Sequence, residues 1–214
     1  MAPSSAWTLP GNWRREWGVS VVRHGAEVAD RGQLADLDEP ALVEACLAGQ
    51  PGAFDLIVER HRRAIYQLCY RFVGNHEDAS DLSQDVFVRA FRGLKSFRRQ
   101  SSLGTWLYRI SVNVCLNRVS TRTLVTEELE ERQHVDTRSD SPADRLLKDE
   151  RAARVRVAIG QLPRKQRATL ILRMYHEMSH QEIADVLGSS VGAVKANFFH
   201  ALANLKRQLG DQVF

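Results

Sequence analysis

The stretch HEMSHQEIADVLGSSVGAVKANFFHALANLKRQL, residues 176–209, decides the fold of this chain. Ser179 followed by Glu182 forms the S-x-x-E capping box that starts a helix, and Gly188 is placed to end it. A serine after that glycine can cap a second helix, whose apolar positions recur at helical spacing. Those positions are Val191, Val194, Phe198, Ala201 and Leu205. Two helices joined by a short turn that contains glycine predict a helix-turn-helix, with a plain αα-hairpin as the alternative.

The second of these helices has side chains suited to reading duplex DNA. Small residues let a helix lie deep in the major groove, asparagine and lysine can bond base edges, and lysine can neutralise phosphate. Lys195 and Phe199 are predicted at the edges of the exposed face. The residues predicted on that face are Gly192, Ala193, Ala196, Asn197 and His200.

The same stretch opens with His176, Glu177 and His180, the H-E-x-x-H string of zinc metalloproteases. That chemistry needs both histidines on one face of one helix. Because Ser179 is predicted to cap a new helix between them, we expect the geometry to fail, and no third ligand is evident. We therefore predict no metal, no cofactor and no catalytic residue, with a zinc hydrolase as the enzyme alternative.

Upstream, residues 38–122 are predicted to form four helices in one compact domain. Asp38, Asn75 and Ser102 stand where helix caps are needed, and Gly49 and Gly74 stand where helices end. Between these signals the apolar residues recur with the 3.6-residue period of amphipathic helices.

Two segments lack such a pattern. Residues 1–37 hold no sustained period, and we expect a mobile N-terminal extension. Residues 123–142 are rich in acidic residues, serine and proline, a composition that is typical of a linker. Helices resume in residues 143–214, and no strand pattern is seen. The sequence therefore predicts an all-α protein: two small helical domains joined by a flexible acidic linker, the C-terminal one a helix-turn-helix.

The 214 residues carry a net charge of only +4, but the charge is unevenly distributed. Residues 53–122 and 151–214 each have a net charge of +6, whereas residues 123–150 carry 4 basic and 9 acidic side chains. Two basic blocks around an acidic segment fit a polyanion contacted at two places. No apolar run reaches the roughly 18 residues of a membrane helix and no signal-peptide order is present, so we expect a cytoplasmic protein without membrane insertion.

Two polar surfaces are predicted on the upstream helices. The first, here named the acidic face, consists of Asp78, Asp81, Gln84 and Asp85; it is either a solvated surface or a docking face for a basic partner. The second, named the polar stripe, consists of Trp106, Arg109, Asn113 and Asn117 on the fourth helix. An aromatic ring, a guanidinium and amides behind a basic loop suit single-stranded nucleic acid, whose bases stack on rings and expose their edges.

Three blocks of this sequence resemble, in order and spacing, the extracytoplasmic-function sigma factors, the minimal two-domain members of the bacterial sigma-70 family. They are DASDLSQDVFVRAFRGLKSF at 78–97, TWLYRISVNVCLNR at 105–118, and the block from 162 to 206 that contains the helix-turn-helix. The resemblance covers about residues 38–209.

The resemblance implies a non-enzymatic initiation subunit that binds core RNA polymerase, recognises the −10 and −35 promoter elements and nucleates melting. The acidic face would dock on the β′ clamp helices, and the linker would thread toward the RNA exit channel. An anti-sigma factor is implied as a further partner. The implied −10 readers are Phe97, Arg98, Arg99, Ser102, Trp106, Arg109, Asn113 and Asn117. The implied −35 readers, in a domain that also contacts the β flap, are Ser190, Ala193, Lys195, Ala196, Asn197, Phe199 and His200.

The recognition helix departs from the family pattern. Arg, Ser, Phe and Arg are common where this chain has Lys195, Ala196, Phe199 and His200, and a basic residue is common at Asn197. A missing hydroxyl and a mostly neutral imidazole at pH 7 predict a weaker phosphate grip or a different −35 sequence. The alternative function is a stand-alone helix-turn-helix regulator, which would have no reason to combine the acidic face with the polar stripe.

Overall fold

The computed structural model describes residues 31–123 and 142–210, and within those ranges every regular element is helical. Of the described residues, 31–57 belong to one compact unit and 58–123 with 142–210 to a second. Within these residues, one 3₁₀ turn, Leu94–Ser96, follows the helix that ends at Gly93. The α-helices are α1 Arg31–Ala35, α2 Glu39–Leu47, α3 Ala53–Val73, α4 His76–Gly93, α5 Leu103–Thr123, α6 Pro142–Gly160, α7 Arg164–Tyr175, α8 His180–Leu187 and α9 Val191–Leu209.

The first unit confirms the predicted cap at Asp38. The backbone N–H of Ala41 donates to Asp38 Oδ1 at 2.9 Å, and Gly49 takes the left-handed conformation that ends a helix, with φ 77°. Helix α1 lies in the segment for which no element was predicted, and its Leu34 is buried. Residues 1–30 lie outside the described residues.

In the second unit, α3 and α4 bury the apolar stripes that the sequence predicts. Ile65, Leu68 and Phe72 of α3 are buried, as are Val86 and Ala90 of α4. Burying a valine, leucine, isoleucine or phenylalanine side chain stabilises the folded state by roughly 1.5–3 kcal/mol. The Asn75 side chain caps α4 by accepting a 2.8 Å hydrogen bond from the backbone N–H of Asp78.

The C-terminal helices follow the predicted signals closely. Pro163 separates α6 from α7, and Ser179 with Glu182 forms the full capping box at the start of α8. Gly188 ends α8 with φ 58°, which glycine adopts without steric cost. Ser190 then caps α9 by accepting from the backbone N–H of Ala193 at 3.2 Å. The helix-turn-helix is confirmed.

Helix α5 is covered on more than one side. It packs against α4, and it also packs against α8 of the helix-turn-helix. Its buried side chains therefore do not form one stripe: Leu103, Leu107 and Val114 are buried, but so are Val112 and Cys115. This double coverage places the C-terminal helices directly beside the polar stripe.

Candidate nucleic-acid interface

The acidic face lies on α4, but its members differ in what they contact. The Asp78 carboxylate is held by internal contacts. It accepts hydrogen bonds from Asn75 Nδ2 at 2.7 Å and from Arg118 Nη2 at 2.9 Å. Only 14% of its side chain is exposed. Asp78 thus joins the start of α4 to α5, because Arg118 belongs to that helix.

The other three members of the acidic face remain reachable by a partner. Asp85 binds Arg89 one turn along the helix at 2.9 Å, and this pairing raises the pKa of Arg89. Asp81 is exposed, and Gln84 is half-buried. A basic partner could therefore approach the Asp81 carboxylate, the Gln84 amide and the ion-paired Asp85 carboxylate without breaking a buried contact.

The loop before α5 is built around two aromatic rings. The ring of Phe97 lies 5.1 Å from that of Trp106, centroid to centroid, at an angle of 38°. A Cβ on Gly93 would lie 3.4 Å from Trp106 Cζ2, an ordinary van der Waals distance, so Gly93 lies directly beside the indole. Trp106 is half-buried between these neighbours. The indole therefore supports the loop by packing on Phe97 and beside Gly93.

The polar side chains of the loop face solvent. Arg98 and Arg99 are both exposed, and Arg99 has φ 54°, a left-handed conformation that few non-glycine residues adopt. Ser102 Oγ caps α5 by accepting from the backbone N–H of Thr105 at 3.0 Å, as predicted. The loop thus presents two guanidinium groups next to the start of the polar stripe.

Two members of the polar stripe contact the C-terminal helices. Arg109 Nη2 donates to the backbone carbonyl oxygen of Asp185, in α8, at 2.5 Å. Arg164 Nη2, at the start of α7, donates to Asn117 Oδ1 at 3.2 Å. Asn113, between them on the helix, is exposed.

A second set of contacts lies behind the stripe. Tyr108 Oη and His176 Nδ1 are 3.2 Å apart, and their rings meet edge to face. Burial, and then the charge of Arg71, lower the pKa of His176 to about 4. The Arg71 guanidinium also lies 4.1 Å from the ring centre of Tyr175.

The deepest of these contacts is made by Arg167. This buried guanidinium donates to the carbonyl oxygen of Phe72, in the last turn of α3, and burial lowers its pKa. Carbonyls in the last turn of a helix have no partner within the helix, so a cation there satisfies one of them. Neither this contact nor the others between the two halves of the chain were predicted from the sequence.

The recognition helix α9 presents its predicted face to solvent. Asn197 is half-buried, and 70% of Phe199 is exposed. Against α8, the ring of Phe198 meets that of His180 edge to face with centroids 6.0 Å apart, which holds α9 in place. The remaining members of the predicted set are exposed: Ser190, Ala193, Lys195, Ala196 and His200.

The H-E-x-x-H string spans two helices, as predicted. His176 directly follows the last residue of α7, whereas His180 is the first residue of α8. The capping box at Ser179 separates them, so the two imidazoles do not share a helical face. Within residues 31–123 and 142–210, no group of three or more His, Cys, Asp or Glu side chains could hold a metal ion. None of the helices in those ranges is long and apolar enough to cross a membrane.

Comparisons with known proteins match both halves of the chain. The sigma-70 region 2 family matches residues 57–124, and the sigma-70 region 4 family matches residues 152–205. The RNA polymerase sigma-H factor of Pseudomonas aeruginosa is 34% identical over 185 residues, which cover 82% of this chain and 96% of the relative. The extracytoplasmic-function sigma factor SigW of Bacillus subtilis is 32% identical over 172 residues, covering 76% and 92%. This chain belongs to the extracytoplasmic-function sigma factors of the sigma-70 family.

Solved structures agree with this assignment. CnrH, in complex with the cytosolic domain of CnrY, is 30% identical to this sigma factor with a TM-score of 0.59 and covers 80% of this chain and 97% of its own. The sigma factor RpoE of Bartonella quintana, in complex with the anti-sigma factor NepR, has a TM-score of 0.57 at 20% identity, over 75% and 99% of the two chains. That second likeness supports the fold. The protein is an RNA polymerase sigma factor for promoter recognition and initiation, and a stand-alone regulator is not favoured.

Proposed function

We propose that α4 docks this sigma factor on core RNA polymerase through Asp81, Gln84 and Asp85, on the basic β′ clamp helices. The exposure of Asp81 supports this assignment. Asp78 completes the acidic face in a different way, because its contact with Arg118 sets the angle between α4 and α5. A docked α4 then carries α5 to a fixed place on the polymerase.

The −10 element is read, in this proposal, by α5 and the loop before it. Phe97 and Trp106 support the loop, Ser102 fixes the start of α5, and Arg98 with Arg99 contacts phosphates. Arg109, Asn113 and Asn117 meet the captured bases of the non-template strand. Opening DNA costs roughly 1.4 kcal/mol of stacking per base-pair step, and stacking on protein returns about 1–3 kcal/mol per base. Capture of a few bases can therefore hold a melted segment open with help from polymerase.

The −35 element is read by α9 from the major groove, with this domain also resting on the β flap. Lys195 and Asn197 are the polar side chains placed to reach phosphate and base edges, and Phe199 offers an exposed apolar contact. Ala193 and Ala196 let the helix approach closely, and Ser190 caps it. His200 stands at the rim of this face. The full set is Ser190, Ala193, Lys195, Ala196, Asn197, Phe199 and His200.

The wider assignment follows from the same function. We place the polymerase-docking and −10 domain at 38–122 and the −35 domain at 143–214, with 123–142 as the acidic linker toward the RNA exit channel and 1–37 as an extension. Residues 124–141 lie outside the described residues. The protein acts in the cytoplasm without catalytic residues or cofactor, since polymerisation chemistry belongs to the core enzyme. Complexes of CnrH with CnrY and of RpoE with NepR support an anti-sigma factor as a partner.

One observation carries this proposal: the exposed part of the acidic face and the polar stripe lie on consecutive helices joined through Asp78 and Arg118. Run-off transcription with core polymerase on genomic fragments tests it. Discrete transcripts that require both proteins, with melting just upstream of each start, are expected. Specific duplex binding without any transcript would instead indicate a stand-alone regulator.

A further inference from the structure

A cavity of about 160 Å³ lies where α3 and the start of α4 meet the end of α7. The residues that line it are Tyr66, Gln67, Tyr70 and Arg71 of α3, His76 of α4, Tyr175 of α7 and His176 directly after it. These seven residues are separate from the acidic face, the loop before α5, the polar stripe and the −35 set. The proposed contacts with polymerase and promoter DNA therefore leave this cavity without an assigned use.

The wall of the cavity contains an arginine whose charge is not balanced by a lining carboxylate. Arg71 is exposed, and its guanidinium lies over the Tyr175 ring, 4.1 Å from the ring centre. The described residues that line the cavity include no aspartate or glutamate. Burial, and then the charge of Arg71, lower the pKa of His176 to about 4. A concave site with one sign of charge concentrates ions of the opposite sign, so this cavity favours an anion.

Neutral hydrogen-bond donors in the same wall are unused. Within residues 31–123 and 142–210, the hydroxyls of Tyr70 and Tyr175 and the side-chain amide of Gln67 make no hydrogen bond. The Tyr70 ring is held against the His76 ring, with centroids 4.7 Å apart. A guanidinium stacked on a ring keeps its N–H groups free at its edge, where they match the oxygens of a phosphate. The cavity thus combines a cation with three unused polar groups.

The size and openness of the cavity limit what can bind. A cavity of about 150 Å³ holds a benzene-sized ligand, and a phosphate group is no larger. Whole drug-sized ligands occupy roughly 300–1,000 Å³, so a larger phosphorylated molecule would place only its phosphate group inside. Arg71, Gln67 and His76 are exposed, which gives a ligand access from solvent.

We propose that this cavity binds the phosphate group of a small phosphorylated metabolite, with Arg71 as the cationic anchor and Tyr70, Tyr175 and Gln67 as hydrogen-bond donors. A tetrahedral phosphate monoester has three terminal oxygens, so it can accept from donors on several sides of the cavity. Because α3 and α7 both contribute donors, a bound phosphate stabilises the folded protein by mass action. This site is independent of the proposed contacts with DNA and polymerase.

Isothermal titration calorimetry of the full chain, in a buffer without phosphate, tests the site. The two probes are inorganic phosphate and ribose 5-phosphate. Saturable binding at one site is expected, and Arg71→Ala should weaken it at least about tenfold, because the ligand loses its charged hydrogen-bond donor. Arg63→Ala, which removes an exposed arginine from the same helix, is the matched control and should leave binding within about twofold of wild type.

A second variant keeps the packing around the cavity intact. Tyr70→Phe with Tyr175→Phe removes only the two hydroxyls and preserves both rings, so the protein should fold as the wild type does and bind each probe severalfold more weakly. Nuclear magnetic resonance gives a local readout. The side-chain amide signal of Gln67, assigned by its loss in Gln67→Glu, should shift when either probe is added.

Either of two results overturns the proposal. The first is an absence of saturable binding of both probes up to about 10 mM, above the millimolar dissociation constants of weak sites. The second is equal weakening by Arg71→Ala and Arg63→Ala, which indicates diffuse attraction to a basic surface. Tighter binding of ribose 5-phosphate than of inorganic phosphate would support a phosphorylated metabolite, and the reverse order would support free phosphate at the same site. These measurements contain no DNA or polymerase, so a negative result leaves the proposed function unaffected.

Discussion

Asp78 accepts a 2.9 Å hydrogen bond from Arg118, and this ion pair fastens the start of α4 to the second half of α5. The helix proposed to dock on polymerase and the helix proposed to read the −10 element are thereby fastened to each other. Asp78 is 14% exposed and also bonds Asn75, so its carboxylate has little freedom to bind anything else. Within the acidic face, Asp78 fastens the two helices, whereas Asp81 is the residue proposed to contact polymerase.

Asp78→Ala is expected to lower the free energy of unfolding by about 1–2 kcal/mol, because it leaves Arg118 and the Asn75 amide without their charged acceptor. Thermal unfolding followed by circular dichroism measures this. Asp81→Ala, on the same helix and exposed, is the control and should be nearly neutral. Equal stability of the two variants would show that the ion pair contributes nothing.

Asp81→Arg is expected to weaken binding to core polymerase at least about tenfold without changing the unfolding temperature. The physical reason is that a reversed charge on an exposed docking surface repels a basic partner but breaks no internal contact. Gln84→Ala should weaken binding less, since it removes an amide and no charge. Affinity is measured by titrating labelled sigma factor with core polymerase.

The control for this charge reversal is Glu150→Arg, at an exposed position on α6. It changes net charge by the same amount and should leave affinity unaltered. Unchanged co-purification of Asp81→Arg with core polymerase would remove this residue from the docking surface.

The substitutions Asn113→Ala and Trp106→Ala are expected to have different effects on melting and stability. Asn113→Ala removes an exposed amide and should reduce promoter melting about tenfold with normal stability and normal closed-complex binding. Trp106→Ala removes a ring packed on Phe97 and beside Gly93, so it should also destabilise the protein, by about 1–3 kcal/mol, less than the cost at a fully buried site. Permanganate footprinting reports melting, and gel shifts at low temperature report closed complexes. Normal melting in both variants would exclude the polar stripe from strand capture.

Lys195→Ala is expected to weaken binding to −35 duplex severalfold and to reduce the salt dependence of that binding. One fewer phosphate contact lowers the slope of log K against log salt by about 0.9. Binding is measured at several salt concentrations with Lys165→Ala, an exposed lysine on α7, as the matched control. A slope identical to wild type would show that Lys195 touches no phosphate.

The parts of this structure that could be predicted are those set by local chemistry. Caps at Asp38, Asn75, Ser102 and Ser179 act within three residues of themselves, so the sequence contains both partners of each hydrogen bond. The contacts between the two halves of the chain are of another kind. Arg109 meets the carbonyl of Asp185, a group that every residue carries, so no residue type at position 185 could have revealed it.

The sequence of α5 nonetheless indicates that this helix is covered on more than one side. Val112 and Cys115 lie off the main apolar stripe, which predicts that much of the helix is covered, and both are buried. What the sequence did not supply was the identity of the covering element. The sequence alone could not assign a role to Trp106, because an aromatic residue beside a loop is equally suited to packing and to base stacking. The positions of Phe97 and Gly93 in the structure determine how much of the indole is enclosed.

Acid is expected to destabilise the packing around His176. Burial among the packed helices, and then the nearby charge of Arg71, lower the pKa of this imidazole from 6.5 to about 4 in the folded protein. Since the folded state binds this proton more weakly than the unfolded state, the contribution of His176 to stability is fully present above pH 6.5. It is lost as the pH drops from 6.5 toward 4. Three further titratable side chains line the same cavity as Arg71, Tyr175 and His176: Tyr66 and Tyr70 of α3, and His76 of α4, which is hydrogen-bonded to Tyr66.

Wild-type protein should therefore lose stability between pH 7.5 and pH 5.5, measured by circular dichroism as a fall in the unfolding temperature. His176→Gln keeps a polar side chain of similar size but does not titrate in this range, so its unfolding temperature should fall less over the same interval. Tyr108→Phe deletes only the hydroxyl at 3.2 Å from His176 and keeps the titrating imidazole, so it is the matched control. Equal falls in the wild-type protein and in His176→Gln would show that His176 does not cause the pH dependence.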